Sequence, residues 1–323
     1  MNSISRRTFL AGSAGAAALA LTACGGSGSS DASGDKTYKI GVLQLTQHAA
    51  LDAANEGFVE ALDASGIKYT IDQQNANNDQ SACATIASKL VGDGDDLIFA
   101  IATPAAQAVA AATSDIPIVG SAITDYAASG LVADNDKPGG NLTGTSDMNP
   151  VDDQIAMLQK LLPEAKHIGM LYCTAESNSQ LQIEMAEAAC DKAGLTTERF
   201  TVSSSNEIQS VVESMVGKVD AGYSPTDNTI AAAAAQVGQI AKEGKLPFIT
   251  GEENMCMGMG ICTVSIDYKE LGKMAGEMAV KILKGEDTPA NMAIETEAGD
   301  QLQTIKNEEM AEALGIDLSV LDA

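Results

Sequence analysis

The chain has 323 residues, with 44 Asp and Glu against 19 Lys and Arg, a formal net charge of −25, and no tryptophan. That acidity argues against nucleic acid or an anionic lipid surface as partner, since both reward Lys and Arg. One short apolar run at the start is the nearest approach to a membrane span, so the rest reads as one large domain or two of ordinary size.

Ser5-Arg6-Arg7-Thr8-Phe9-Leu10 leads into a small-residue apolar stretch, the pattern of a twin-arginine export signal. Phe9 to Ala23 is too short to span a bilayer as a mature helix. It ends in Leu21-Thr22-Ala23-Cys24, which resembles a lipoprotein lipobox. Residues 1–23 are therefore expected to be removed and Cys24 acylated, each buried methylene adding about 0.8 kcal/mol of membrane binding. An ordinary secretory signal with an incidental Cys is the plainer alternative. Losing Arg6 and Arg7 takes the net charge from −25 to −27. Gly25 to Asp35 is built of Gly, Ser, Ala and Asp, so residues 24–36 form a flexible tether. The expected location is the extracytoplasmic face of the cell membrane.

Five further cysteines, Cys83, Cys173, Cys190, Cys256 and Cys262, leave an odd thiol and rule out a disulfide scaffold. Cys256 and Cys262 are near enough in sequence to pair, which geometry decides. Export of folded chains also removes any need for disulfides in folding.

From Lys39 onward strands and helices alternate. Ile40 to Leu45 is a mostly apolar strand, and 49–65 is a helix with Leu51, Ala54, Phe58, Ala61 and Leu62 on one stripe. Gly66 ends that helix and Tyr69-Thr70-Ile71 opens the next strand. The same pattern predicts helices over 81–91 and 104–113 and strands over 97–102 and 116–120. A strand at Asn141 to Ser146 leads into Asp147 and Pro150, where the chain changes lobe. Helices are then predicted over 152–162, 178–193, 206–217 and 228–243, with strands over 167–173, 197–202, 219–223 and 246–250. An irregular Gly/Met stretch precedes a long helix over 268–284. Alternation of this kind means parallel sheets with right-handed crossovers, and there are too many units for one sheet. The fold class is α/β, with two Rossmann-like lobes and a cleft between them.

Ligands of open parallel sheets bind beyond the carboxyl ends of the strands. Those ends carry Gln44 to His48, Ala102-Thr103, Ser121 to Asp125, Ser146-Asp147, Thr174 to Ser179, Ser224 to Asn228 and Thr250 to Glu253. Free N–H groups at helix N-termini suit a carboxylate, and an acid such as Asp227 suits an ammonium group. Together they describe a zwitterion pocket. Several of these residues have plainer readings. Thr103, Ser146 and Ser179 fit helix N-caps equally well, and Asp227-Asn228 fits the cap of the following helix. His48 fits either a cleft or a structural position, and Glu176 either a ligand contact or a helix start. His167 opens a strand at the opposite end and reads as structural. Tyr126, Tyr172 and Tyr223 near strand ends suit either stacking on an aromatic ligand or core packing.

The same segments resemble a known family. Ile40-Gly41-Val42-Leu43-Gln44 with His48, Ala102-Thr103-Pro104, Ile123-Thr124-Asp125, Asn141-Leu142-Thr143-Gly144-Thr145-Ser146-Asp147, Glu176-Ser177-Asn178-Ser179, Pro225-Thr226-Asp227-Asn228 and Ile266-Asp267-Tyr268 are similar, in order and spacing, to the solute-binding lipoproteins of ABC importers. Within these the chain is most similar to the group binding tryptophan and other aromatic amino acids. The resemblance implies a type I periplasmic-binding-protein fold with a three-crossing hinge near 145–150, 264–267 and 285–291. The lobes would then be 37–146 with 267–287, and 147–266 with 288–323. It implies ligand contacts at Gln44, His48, Thr103, Thr124, Asp125, Ser146, Asp147, Glu176, Asn178, Ser179, Asp227, Asn228 and Glu252. The chain departs from the family pattern at Thr124-Asp125-Tyr126, where relatives have Thr-Asp-Pro, and in Met255 to Cys262, so side-chain specificity stays open. Branched aliphatic amino acids, nucleosides and small peptides remain alternatives to an aromatic ligand.

The implied function is a monomeric receptor that delivers a small molecule to an ABC permease with a cytoplasmic ATPase. No cofactor, resident metal or nucleic acid is expected. An enzyme reading lacks a nucleophile elbow, a P-loop or zinc-type spacing. Two rivals remain. Met255 to Cys262 has thioethers and thiols suited to Cu(I), and the same lobes would serve a ligand sensor for a membrane kinase.

Overall fold

The computed structural model describes residues 36–297 and 299–322, so the expected signal, Cys24 and the tether lie outside the described residues. Asp35–Ala323 forms one compact unit and carries three hydrophobic core clusters. No described helix is long and apolar enough to cross a membrane.

Lobe 1 is a five-stranded parallel sheet built from β1 (Thr37–Gln44), β2 (Lys68–Asn75), β3 (Leu97–Ile101), β4 (Ile118–Ile123) and β5 (Leu142–Ser146), in the order β2-β1-β3-β4-β5. The central β3, Leu97-Ile98-Phe99-Ala100-Ile101, is apolar and buried throughout because helices cover both of its faces. Those helices are α1 (Ala49–Ser65), α2 (Gln80–Asp93) and α3 (Thr103–Ala112). Asp79 starts α2 by accepting from the amides of Ser81 and Ala82. Phe58 of α1 stacks on Phe99 of β3 with ring centroids 3.8 Å apart.

Lobe 2 contains α4 (Val151–Leu161), β6 (His167–Cys173), α5 (Ser177–Lys192), β7 (Thr196–Val202), α6 (Ile208–Met215), β8 (Ala221–Ser224), α7 (Asn228–Ala231), α8 (Ala234–Gly244), β9 (Phe248–Thr250), α9 (Glu253–Met259) and β10 (Cys262–Ser265). The chain then returns to lobe 1 as α10 (Tyr268–Leu283), and re-enters lobe 2 for β11 (Gln303–Lys306) and α11 (Glu308–Leu314). The second sheet has the order β11-β10-β9-β8-β6-β7. All its described pairings are parallel except β11, which runs antiparallel to β10.

Helix α10 lies against α1 at glycine contacts. A Cβ on Gly272 would meet the Ala54 carbonyl, and one on Gly57 would meet the Lys269 carbonyl. Bare backbone is what lets the returning helix seat this closely.

The expected elements differ from the structure in four places. The stretch after Glu252 is helical, because the Glu252 carboxylate accepts from the amides of Asn254 and Met255 and so caps α9. The predicted helix 228–243 is two helices, broken at Ala232-Ala233. The predicted helix 206–217 is shorter, starting as a 3₁₀ turn at 205–207 and ending at Met215. The third crossing is later than 285–291. Ile294 donates to Asn135, Glu295 donates to Gly144, and Ser146 donates to Glu295, so this segment runs beside β5 in lobe 1. It changes lobe only between Glu297 and Gln303. The crossings are tied together: Asn149 Oδ1 accepts from the Ile266 amide, and Glu297 accepts from the Asp267 amide.

Candidate ligand-binding site

The carboxyl ends of the two sheets face each other across a narrow cavity with about 10 Å³ of free space. Lobe 1 and the first crossing contribute His48, Leu51, Ala122, Asp147 and Tyr268. Lobe 2 contributes Asn178 from α5, Thr226, Asp227 and Asn228 from the β8–α7 turn, Ala231, and Glu252 and Met255 at the start of α9. A larger groove on lobe 1 between α1 and α10 has only Ala61 and Val280 buried among its lining residues, and holds no buried polar group.

Three buried carboxylates line the cavity with no buried cation among its residues. Asp227 accepts from the amides of Cys173 at 2.6 Å and Ile230 at 2.9 Å, so it caps α7 while facing the cavity. Burial, with the neighbouring Glu176 charge second, pushes Asp227 up to about 8. Burial pushes Glu252 to about 7 and Asp147 to about 6. Asp147 Oδ2 accepts from the Tyr268 hydroxyl at 2.8 Å, and its Oδ1 has no partner.

His48 Nε2 lies 3.1 Å from Asn228 Oδ1. The Asn228 amide nitrogen donates to the Glu176 carboxylate at 2.6 Å, so its oxygen must face the imidazole. His48 then donates through Nε2 and leaves Nδ1 as a bare acceptor. Burial lowers its pKa, which favours that neutral form. The buried side-chain atoms of the cavity lining left without partners are thus His48 Nδ1, Asp147 Oδ1 and Asn178 Oδ1. All three are acceptors. They call for a ligand group with several N–H donors, and a primary ammonium has three. No side chain caps the N-termini of α1 or α5, and Leu51 and Asn178 bring both first turns to the cavity. Their amides suit an anion.

Six of the thirteen residues singled out from sequence line the cavity: His48, Asp147, Asn178, Asp227, Asn228 and Glu252. Of the other seven, all but Thr103 have other partners. Gln44 donates to the Thr46 carbonyl and to Asp52. Thr103 is the first residue of α3, buried, with its hydroxyl unpartnered. Thr124 bonds Asp147 and accepts from Gln182 at 3.3 Å. Asp125 holds a turn through the Ala128 amide and Asn135. Ser146 donates to the Thr124 carbonyl. Ser179 bonds Asp227 and accepts from Asn178. Glu176 caps α7, accepting from the amides and side chains of both Asn228 and Thr229.

Tyr126 and Tyr223 are wholly buried in the cores and bond the Thr145 carbonyl and Gln154, while Tyr172 contacts Arg199. The aromatic wall of the cavity is instead Tyr268. Leu51, Ala122, Thr226, Ala231 and Met255 also line the cavity and lie outside the thirteen, although Ala122 and Thr226 fall within the strand-end segments and Met255 within the Met/Cys stretch. Leu51 and Tyr268 lie in first turns of helices that follow strand ends or crossings, a usable signal; Ala231 carries none in sequence. The sulfur groups of 255–262 do not converge. Met255 and Met259 belong to one core cluster and Cys262 to another, while Met257 is 55 % exposed. All five described thiols are free and buried.

The model of the ABC transporter substrate binding protein family matches residues 39–320. The chain belongs to that family. It is 40 % identical over 300 residues to a tyrosine-binding protein of Clostridioides difficile, covering 88 % of this chain and 87 % of the relative. Among solved structures, a Streptococcus pneumoniae ABC domain in complex with L-Trp is 41 % identical, with a TM-score of 0.85 over 89 % of this chain and 98 % of the other. The ligand-free, open structure of a C. difficile substrate-binding protein with adhesive properties is 42 % identical, but has a TM-score of 0.66 over 87 % and 95 %. At nearly equal identity the match is better to the ligand complex than to the open structure; in this substrate-binding protein the lobes touch directly, as His48 to Asn228 and Asn78 to Thr229, a closed arrangement. Type I periplasmic binding proteins share the fold at low identity, as with a Yersinia enterocolitica sugar transporter protein at 15 % and a TM-score of 0.60, over 86 % of each chain. ABC substrate-binding proteins work outside the cytoplasm and bind a small molecule for an ABC transporter. Their role is typically binding, with no turnover of the ligand.

Proposed function

We propose that this protein is a lipid-anchored receptor, acylated at Cys24 after removal of residues 1–23, that captures an aromatic α-amino acid and delivers it to an ABC importer. The observation that carries this reading is the set of buried acceptors around the cavity: Asp227, Asp147 and the bare oxygen of Asn178, with no cation to satisfy them. A ligand ammonium supplies that cation. The ligand carboxylate takes the uncapped first turns of α1 and α5. Tyr268, Leu51 and Met255 then enclose the side chain, where ring–ring and sulfur–ring contacts favour an aromatic group. The tyrosine-binding relative and the tryptophan-bound structure support the same ligand class.

Binding contacts to both lobes favour closure, and the closed form is what a permease would recognise. The test is calorimetric titration of L-tryptophan into Asp227→Ala. A loss of tenfold or more in affinity, about 1.4 kcal/mol, with folding intact is expected. Unchanged affinity in a folded variant removes the ammonium assignment.

A further inference from the structure

Apart from Thr124, which accepts from Gln182 of lobe 2 at 3.3 Å, three lobe-1 side chains reach lobe 2, His48 at the rim of the cavity and Asn78 and Gln80 outside it. His48 Nε2 meets Asn228 Oδ1 at 3.1 Å, Asn78 donates to Thr229 Oγ1 at 2.8 Å, and Gln80 donates to the Ala175 carbonyl at 2.9 Å. They start from the β1–α1 connection, the β2–α2 connection and the first residue of α2, and land on the β6–α5 loop and the first two residues of α7. Neither Asn78, Gln80, Ala175 nor Glu176 lines the ligand cavity. They line a separate recess of about 140 Å³.

Glu176, which is 2 % exposed, joins the two landing segments. One carboxylate oxygen accepts from the amide and side-chain nitrogens of Asn228, at 3.1 and 2.6 Å. The other accepts from the amide and hydroxyl of Thr229, at 2.9 and 2.8 Å. These four bonds set the donor and acceptor sense of the landing surface. Asn228 must turn its oxygen towards His48, and Thr229, having given its proton to Glu176, can only accept from Asn78.

We propose that Glu176 is a positioning residue for lobe closure: it presents Asn228, Thr229 and the adjoining Ala175 carbonyl as a latch for His48, Asn78 and Gln80, so that protein contacts alone favour the closed form. Glu176 is also expected at the ligand; its carboxylate is occupied by Asn228 and Thr229, with Asn178 Nδ2 at 3.5 Å, which suits the positioning role. The proposal does not depend on which ligand the cavity takes.

The test uses the Asp35–Ala323 unit, stripped of ligand by unfolding and refolding. Dyes are placed on Ser88→Cys of α2 and Ser214→Cys of α6, both exposed, and the described native thiols are buried and do not compete. Single-molecule energy transfer reads the closed-to-open ratio without ligand. Asn78→Asp removes one latch donor while keeping a residue that tolerates the left-handed backbone at φ 62°. It should lower the ratio about two- to tenfold, the span of one net hydrogen bond. Glu176→Gln places an amide donor against existing donors and should lower the ratio further. The double variant should fall no lower than Glu176→Gln alone. Wild-type and Asn78→Asp distributions that coincide overturn the proposal. So does a Glu176→Gln chain whose melting point falls while its ratio does not, since that marks a merely structural cap.

Discussion

Asp227 performs two tasks that compete. Its oxygens cap α7 and hold the end of β6, which fixes the side chain, yet it is buried with Glu176 nearby, so its charge is costly until a cation arrives. Burial pushes Asp147, Glu252 and Asp227 up to about 6, 7 and 8. Unfolded carboxyls titrate near 4. Groups raised in this way contribute fully to stability below the unfolded value, and that contribution is lost as pH rises through 6 to 8. The ligand-free unit should therefore melt at lower temperature at pH 8.5 than at pH 5.5, with a limiting slope of about 1.4 kcal/mol per pH unit for each titrating group. An ammonium ligand restores the charge balance, so the stabilisation by L-tryptophan should grow over the same interval, and binding near pH 7 should release protons. A melting point flat from pH 5.5 to 8.5 would refute this reading of the buried acids. Asp227 was legible in sequence because a short acid after an apolar strand suits both a cap and a cation. Tyr268 was harder to read, because its place in the cavity depends on a helix that changes lobe.

At the scale of elements, the sequence pattern located most strands and helices of both lobes, since buried parallel strands are apolar runs and amphipathic helices show their stripes. It was weakest where local signals are thin. The four-residue β11, Gln303-Thr304-Ile305-Lys306, has one apolar residue and none buried, so no hydrophobic pattern marks it. Helix α9 has three methionines, a cysteine and a glycine, and is set by the Glu252 cap more than by propensity. The late third crossing follows from backbone bonds to β5 that no side-chain pattern announces. The return of α10 to lobe 1 is encoded by glycines. Gly272→Ala would drive a methyl into the Ala54 carbonyl, and overpacking of this kind typically costs about 1–3 kcal/mol. Denaturant unfolding should show that loss. Stability equal to wild type would mean that α1 and α10 can separate at no cost.

The whole molecule is two sheets whose carboxyl ends meet, three crossings bonded to one another through Asn149 and Glu297, and a closed cleft. Ligand and latch contribute to closure from different residues: acids and uncapped helices in the cavity, and the Glu176-organised loops beside it. The central claim is that the cavity takes an aromatic α-amino acid. The most direct measurement is thermal unfolding of the refolded Asp35–Ala323 unit against the twenty L-amino acids and a set of nucleosides. At a hundred times the dissociation constant a true ligand adds about 2.7 kcal/mol of stability. The account predicts a raised midpoint with tryptophan, tyrosine or phenylalanine and none with nucleosides. A midpoint raised by another class, with the aromatic amino acids silent, would contradict it.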